Sequence, residues 1–175
     1  DWLPDLVENT SGDVVWSADS AGFFYVRLDS ETLLPYQVYY HTLGAEPAQD
    51  RLVYEEADNT YYLHISHSRS EEYLLISLSS TLSSEVHLLP LKIPHSSPTL
   101  FLARRRGHEY SLDHFQQQFY IRSNREGRNF ALYLADDGAE QHWQALLPVR
   151  EQILLQDFVL FRNALFVEER DAGLT

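Results

Sequence analysis

Side chains that can serve catalysis or metal binding lie close together in one short stretch of the sequence. Ser111, Asp113 and His114 are the residue types of a serine-hydrolase triad, but a triad is assembled by the fold and is recognised by its geometry. His108, Glu109 and His114 resemble a His-Glu-x-x-His zinc motif, which needs its second histidine closer, on one face of a helix. The surrounding pattern indicates a strand. We therefore interpret this stretch as a strand that leads into a polar turn.

Other chemistries lack their residues or their spacing. A nucleophile elbow needs Gly-x-Ser-x-Gly, which does not occur, and the seven glycines are too scattered for a phosphate-binding loop. The paired carboxylates Glu55-Glu56 and Glu168-Glu169 each follow a hydrophobic strand core, which indicates solvated strand ends. The absence of cysteine excludes disulfides and thiolate metal sites. We predict no catalytic residue, no cofactor and no metal site in this chain.

The net charge restricts the classes of partner. With 13 basic and 26 acidic residues the formal charge is −13, which disfavours nucleic acid and anionic membranes and favours cationic ligands. The alternative is that the charge serves solubility alone. Arg104, Arg105 and Arg106 form the one basic cluster, and three charges are interpreted as a solvated turn. No apolar run approaches the ~20 residues of a membrane helix. We expect neither a nucleic acid nor a membrane as partner.

A short segment of aromatic and β-branched residues recurs four times, each time after a polar turn. It occupies residues 23–28, 61–65, 119–122 and 165–168. With Tyr25, Tyr62, Tyr120 and Phe166 taken as equivalent, the spacings are 37, 58 and 46 residues, with a mean of 47. Strand units that recur every 40–50 residues or so are typical of β-propeller blades, which contain four antiparallel strands each.

The predicted fold is therefore all-β, with about three and a half four-stranded antiparallel blades of a β-propeller. The predicted units are a blade remnant at 1–12, blades at 13–56, 57–103 and 104–150, and a partial blade at 151–175. An array of this size cannot close into the ring that the sequence period indicates. The sequence also contains no methionine. We therefore expect the chain to be a segment of a longer protein.

The sequences of these strands and their order resemble a known family. LPD at 3–5, VWSAD at 15–19, FYVRLD at 24–29 and PYQVY at 35–39 resemble the propeller of the prolyl oligopeptidase family. HTLG at 41–44, LVYEE at 52–56, ISLSS at 76–80, YIRSN at 120–124 and VEER at 167–170 are most similar to its oligopeptidase B branch, also called protease II. The resemblance extends from Leu3 to Thr175, and it is carried by the order of the segments together.

The resemblance implies a serine-type endopeptidase with two parts. In that family a seven-bladed propeller covers an α/β-hydrolase domain with a Ser-Asp-His triad, so that peptides reach the triad and folded proteins do not. Oligopeptidase B enzymes cleave after Arg or Lys. The present chain ends inside the propeller, so we expect the catalytic α/β-hydrolase domain to be absent from it and no triad residue is carried over. The resemblance implies a cytoplasmic protein, with a periplasmic location left open. The alternative is a stand-alone β-propeller that binds peptides or proteins, and a third possibility is a small self-sufficient β-sandwich.

Two loops are expected, from the resemblance, to face the substrate cavity. They lie at 10–13 and 67–70 and contain the candidate substrate-cavity residues Asp13, His67 and Arg69. The Asp13 carboxylate is suited to a cationic side chain or amino terminus of a peptide. The Arg69 guanidinium is suited to a carboxylate, of a ligand or of the hydrolase domain of the same parent chain. The alternative is that both loops are ordinary solvated turns.

The two end blades are also expected to expose apolar surface. Trp16 at one end and Phe158 and Phe161 at the other belong to faces that normally pack against neighbouring blades. Exposed apolar faces and strand edges favour association. We therefore predict that this chain, by itself, self-associates, most simply as a dimer.

Overall fold

The fold consists of antiparallel β-sheets, and the computed structural model describes residues 5–171. The first sheet contains β1 (Thr10–Trp16), β2 (Gly22–Leu28), β3 (Pro35–Thr42) and β4 (Arg51–Glu55). The second contains β5 (Tyr62–His67), β6 (Tyr73–Ser79), β7 (Ser84–Pro90) and β8 (Thr99–Leu102). The third contains β9 (Tyr110–Phe115), β10 (Gln118–Ser123), β11 (Ala131–Ala135) and β12 (Gln144–Leu147). The fourth contains β13 (Ile153–Phe161) and β14 (Ala164–Asp171).

Each sheet is a meander in which neighbours in sequence are neighbours in the sheet. The sheets follow one another face to face: β5 contacts β1, β2 and β3, β7 contacts β9, and β10 contacts β13. This is the arrangement of successive propeller blades, with the first strand of each blade on the inner side. The predicted all-β propeller fold is therefore confirmed, as three four-stranded blades and a two-stranded sheet. Across residues 5–171, no helix has the length and apolarity to span a membrane.

The second strand of the second blade explains how the blades hold together. Along β6, Leu74 and Ile76 point into a core shared with Phe24 of the first blade, whereas Leu75 points into a core shared with Ile121 of the third. A strand buried on both faces favours an uninterrupted run of apolar residues, and β6 has one at residues 73–76. Each fully buried leucine or isoleucine contributes roughly 1.5–3 kcal/mol, so the interfaces between blades are the main cores of the protein.

The structure corrects the register of the sequence repeat. Tyr25, Tyr120 and Phe166 lie on the second strands β2, β10 and β14, but Tyr62 lies on the first strand β5. The second strands begin at residues 22, 73, 118 and 164, with spacings of 51, 45 and 46 residues. The recurring segment does not mark one strand position, because aromatic and β-branched residues suit first and second strands alike. The first blade also begins earlier than the predicted boundary at 13, since Thr10 already pairs with Arg27.

The two ends of the array differ in chemistry. The fourth sheet exposes Val159, Phe161 and Phe166, whose exposed fractions are 51%, 49% and 61%. At the other end Trp16 is 46% exposed, yet Tyr25 on the same sheet is fully buried. The first blade therefore exposes Trp16, as expected, but its open end also contains the buried polar contact between Asp5 and His41.

Candidate functional site

The predicted residue Asp13 lies in an irregular part of the innermost strand of the first blade. The pairing of β1 with β2 shifts between Thr10 and Val14, so residues 11–13 bulge away from the ladder. The Asp13 carboxylate accepts a hydrogen bond from the Ser11 hydroxyl at 3.1 Å and is partly exposed. It lies apart from the other two predicted residues, which are on the second blade.

His67 ends the innermost strand of the second blade, beside the end of β1. It lines a cavity of about 470 Å³ together with Trp16, Glu71 and Leu91. The imidazole is exposed, and its Nδ1 lies 3.1 Å from the carbonyl oxygen of Ser68. The cavity combines an apolar wall with one imidazole and one carboxylate, so it suits a polar ligand with an aliphatic part.

Arg69 lies at the tip of the turn between β5 and β6, and this turn is fastened to the third blade. The Arg69 N–H donates to Asp113 Oδ1 at 2.7 Å, and the Ser70 N–H donates to the carbonyl of His114 at 2.8 Å. The Ser70 hydroxyl also lies 2.8 Å from His114 Nδ1. Three hydrogen bonds therefore fix the backbone beside Arg69, and the side chain is exposed.

The groups that fasten this turn do not form a catalytic triad. Asp113 Oδ1 accepts the backbone N–H groups of Arg69 and His114, and no hydrogen bond joins its carboxylate to the His114 imidazole in the part of the chain described. Burial raises the pKa of Asp113, although these N–H donors oppose the shift. Burial lowers the pKa of His114, so the ring is neutral at pH 7 and suited to its hydroxyl partner. Ser70, Asp113 and His114 thus position a turn.

The zinc interpretation of the same stretch is equally without support. His108 Nε2 lies 2.7 Å from the Ser123 hydroxyl, whereas His114 contacts Ser70 in the neighbouring blade. Among the residues that the structure describes, no group of three or more histidine, cysteine, aspartate or glutamate side chains could hold a metal ion.

A second cluster of ionisable groups lies on the face of the first blade that points away from the second blade. His41 is fully buried between two carboxylates, with Nε2 at 3.0 Å from Asp5 Oδ1 and Nδ1 at 2.7 Å from Asp50 Oδ1. The hydroxyl of Tyr25 donates to Asp50 at 2.9 Å and accepts from Arg27 at 3.1 Å. These five side chains connect the segment before β1 to β2, β3 and the turn after β3. We call them the His41 network.

The electrostatics of the His41 network favour a charged imidazole. Burial disfavours the charged ring, but the hydrogen bonds to Asp5 and Asp50 outweigh burial and raise the pKa of His41. The same hydrogen bond to His41, helped by the Gly44 N–H, lowers the pKa of Asp5. Burial, together with Asp50, raises the pKa of Tyr25 to about 12. Sequence reasoning missed this network because its members are up to 45 residues apart and none belongs to a motif.

The basic cluster at 104–106 is not a simple solvated turn. The Arg104 guanidinium pairs with Glu56 and with Glu85 and lies 3.9 Å from the centre of the Tyr61 ring. Burial would raise the pKa of Glu85, but hydrogen bonds from Arg104 outweigh it and hold that pKa at about 2. Arg105 forms two hydrogen bonds of 2.6 Å with the carboxylate of Glu140. Arg105 and Arg106 are exposed beside a turn, as expected, but Arg104 and Arg105 also pair with carboxylates.

Comparison with known proteins extends over the whole chain. Residues 1–175 match the family model described as the prolyl oligopeptidase N-terminal beta-propeller domain. The chain is 38% identical to dipeptidyl aminopeptidase BI of Pseudoxanthomonas mexicana, covering 98% of this chain and 24% of that protein. It is 31% identical to protease 2 of Moraxella lacunata, covering 99% of this chain and 25% of that protein.

A solved structure agrees with these relatives. Oligopeptidase B from Leishmania major superposes with a TM-score of 0.91 at 29% identity, covering 99% of this chain and 24% of that one. The chain thus spans about a quarter of the length of the relatives it matches. The match of the family model over all 175 residues and the bladed fold lead to the same assignment: the chain belongs to the prolyl oligopeptidase family and corresponds to part of its N-terminal β-propeller domain.

Proposed function

We propose that this chain is part of the gating propeller of a longer serine peptidase, one that cleaves short peptides after Arg or Lys. The observation that carries the proposal is the match of the whole chain to the N-terminal propeller domain of the family. Relatives named as a dipeptidyl aminopeptidase and as protease 2 support peptide cleavage. In this proposal the chain supplies no catalytic residue, and the nucleophile belongs to an α/β-hydrolase domain elsewhere in the same protein.

The architecture suits a gate because the blades are held together by extensive cores. Leu74 and Leu75 are both buried although they face different blades, so separating two blades exposes a whole apolar face. A channel bounded by such blades admits an extended peptide and excludes a folded domain. In this role the inner strands and their turns, which include His67 and Arg69, form part of the wall that a peptide passes.

The charge of the chain supports a preference for cationic peptides. A net charge of −13 attracts positively charged ligands over a distance of about one Debye length, ~8 Å at physiological salt. Asp13 on the first strand of the first blade is partly exposed and is one of these negative charges. We place the protein in the cytoplasm, where short peptides arise from protein turnover.

The proposal is tested by separating the chain from the protein that contains it. The 175-residue chain alone should not hydrolyse a chromogenic dipeptide with Arg at the cleaved bond. The full-length protein should hydrolyse it, lose activity with a serine-directed reagent, and prefer Arg or Lys to a neutral residue. Turnover by the isolated chain that the reagent abolishes would contradict the proposal. An inactive full-length protein that binds peptides would instead support a stand-alone binding propeller.

A further inference from the structure

Arg69 occupies an unusual position because it connects blades that are not neighbours. Its turn belongs to the second blade, and its guanidinium carbon lies 5.9 Å from the centre of the Phe161 ring in the fourth sheet. The third blade separates these two, since it contacts the second through β9 and the fourth through β10. Side chains two blades apart can meet only where the blades converge, beside the central channel. Arg69 therefore lies at the mouth of the channel.

The backbone of Arg69 is fixed, although its side chain is exposed. Asp113 holds the Arg69 N–H at 2.7 Å, and Ser70 makes two further hydrogen bonds to His114. Phe161 offers its ring to the guanidinium, a contact that attracts a cation through the ring quadrupole. The N–H groups of a guanidinium lie in its plane and remain available to an acceptor while the group rests against a ring. The backbone hydrogen bond to Asp113 and the ring of Phe161 therefore hold the guanidinium near this position before a ligand binds.

The guanidinium of Arg69 also has no carboxylate partner. Among residues 5–171 no carboxylate lies within 4.0 Å of its nitrogens. Arg106 and Arg162 lack one as well, so the fixed backbone and the contact with Phe161 are what distinguish Arg69. Glu71 and Glu72 follow it in the same turn but do not reach it. In a chain with twice as many acidic as basic residues, a positioned and unpaired arginine at a channel mouth is available to an anion from outside the chain.

We propose that Arg69 binds the terminal carboxylate of a peptide at the channel mouth, with Asp113 and Phe161 as its positioning residues. This inference rests on the proposed function, since it takes peptides as the substrates. A planar carboxylate matches the two parallel N–H groups of a guanidinium, and every short unblocked peptide ends in one. The site would select peptides by their free end, independently of the side chain at the cleaved bond. Folded proteins present such an end less readily.

The experiment compares two peptides that differ only in this group. Both are rhodamine-labelled hexapeptides of Gly and Ala with one internal Arg, and one ends in a free carboxylate while the other ends in an amide. Affinity is measured by fluorescence anisotropy, and kcat/KM by cleavage, with the full-length protein. We expect the wild type to bind the free acid about 3–5-fold more tightly than the amide, the gain typical of a partly exposed ion pair.

The variants separate recognition from folding. Arg69→Gln should abolish the preference for the free acid and leave binding of the amide unchanged, and Arg69→Lys should retain part of the preference. Asp113→Ala should reduce the preference without changing affinity for the amide. Arg106→Gln, which removes an exposed arginine from the connection between the second and third blades, is the matched control and should behave as the wild type.

Two outcomes would overturn the inference. An equal loss of affinity for both peptides in Arg69→Gln would show that Arg69 pairs with another part of the longer protein. An unchanged preference for the free acid in this variant would show that the carboxylate binds elsewhere. A full-length protein that cleaves neither peptide, yet binds the free acid more tightly through Arg69, would contradict the proposed peptidase and leave the carboxylate site standing.

Discussion

At the scale of single residues, the His41 network is the feature with the largest consequence for stability. A buried imidazole with a carboxylate on each side stabilises the protein only while the ring is charged. Because folding raises the pKa of His41, this contribution is fully present below the unfolded pKa of about 6.5 and is lost as pH rises through the folded pKa. Asp5, whose pKa is lowered, has the opposite dependence and loses its contribution in acid.

The prediction concerns the segment that Asp5 fastens to the first blade. Hydrogen exchange of peptides covering 5–9 and 41–50, corrected for the intrinsic rate, should show less protection at pH 8.5 than at pH 6. His41→Gln should remove about 2 kcal/mol of protection at pH 6, roughly 30-fold in exchange, because the partner carboxylates lose a buried donor. It should also remove the pH dependence.

The control for this prediction is His64→Gln, which changes an exposed histidine on β5. It should leave exchange in both segments unaltered. A wild-type protection that does not change between pH 6 and 8.5 would show that the imidazole is not charged in the folded protein.

At the scale of elements, the seam between the second and third blades depends on a close backbone approach. The turn between β11 and β12 brings Gly138 against β8, where an added Cβ would lie 1.7 Å from the carbonyl oxygen of Phe101. That oxygen belongs to a strand backbone and cannot move away without disturbing the seam.

We expect Gly138→Ala to destabilise the protein by about 3 kcal/mol, at the upper end of typical overpacking costs. The matched control is Gly127→Ala, whose Cβ would meet a methyl group of Val149 at 2.8 Å. A side-chain methyl can rotate away, so this change should cost about 1 kcal/mol. Urea unfolding of both variants measures the difference. Equal costs would mean that the turn shifts freely relative to β8.

The strands also show which parts of the fold can be predicted from the sequence alone. The continuous apolar run of β6 and the alternation in β3 predict strands directly, and their period predicts blades. The equivalence of Tyr62 with Tyr25 and Tyr120 is wrong because local composition does not distinguish an inner strand from its neighbour. The contact of Arg69 with Phe161 crosses 92 residues and two blade boundaries, so no local pattern could reveal it. Of the predicted residues Asp13, His67 and Arg69, only the last two share a turn.

At the scale of the whole molecule, the unequal ends of the array determine how the 175-residue chain behaves by itself. The fourth sheet has two strands in the described part of the chain and exposes Val159, Phe161 and Phe166. The first blade exposes Trp16 but buries Tyr25 and His41 beneath polar contacts. Association should therefore use the fourth sheet of each copy, in a symmetric contact, rather than one end against the other.

We predict that the isolated chain forms a dimer at micromolar concentration, measured by sedimentation velocity. Phe166→Glu should shift the chain towards monomer, because it places a charge within the apolar contact. Leu82→Glu changes a leucine of similar exposure in the turn between β6 and β7 and should leave the dimer intact. A wild-type monomer that binds no hydrophobic dye would contradict the prediction.

The alternation of β6 between two cores also bears on how such a domain evolves. Leu74 can change only in concert with partners in the first blade, and Leu75 only with partners in the third. Adjacent residues of β6 are therefore under different selective constraints. In an alignment of homologues, residues that face the first blade should covary with that blade, and residues that face the third blade should covary with the third, without covariation between the two sets. A blade exchanged between homologues must satisfy both neighbours simultaneously, so recombination should succeed more often when adjacent blades are transferred together.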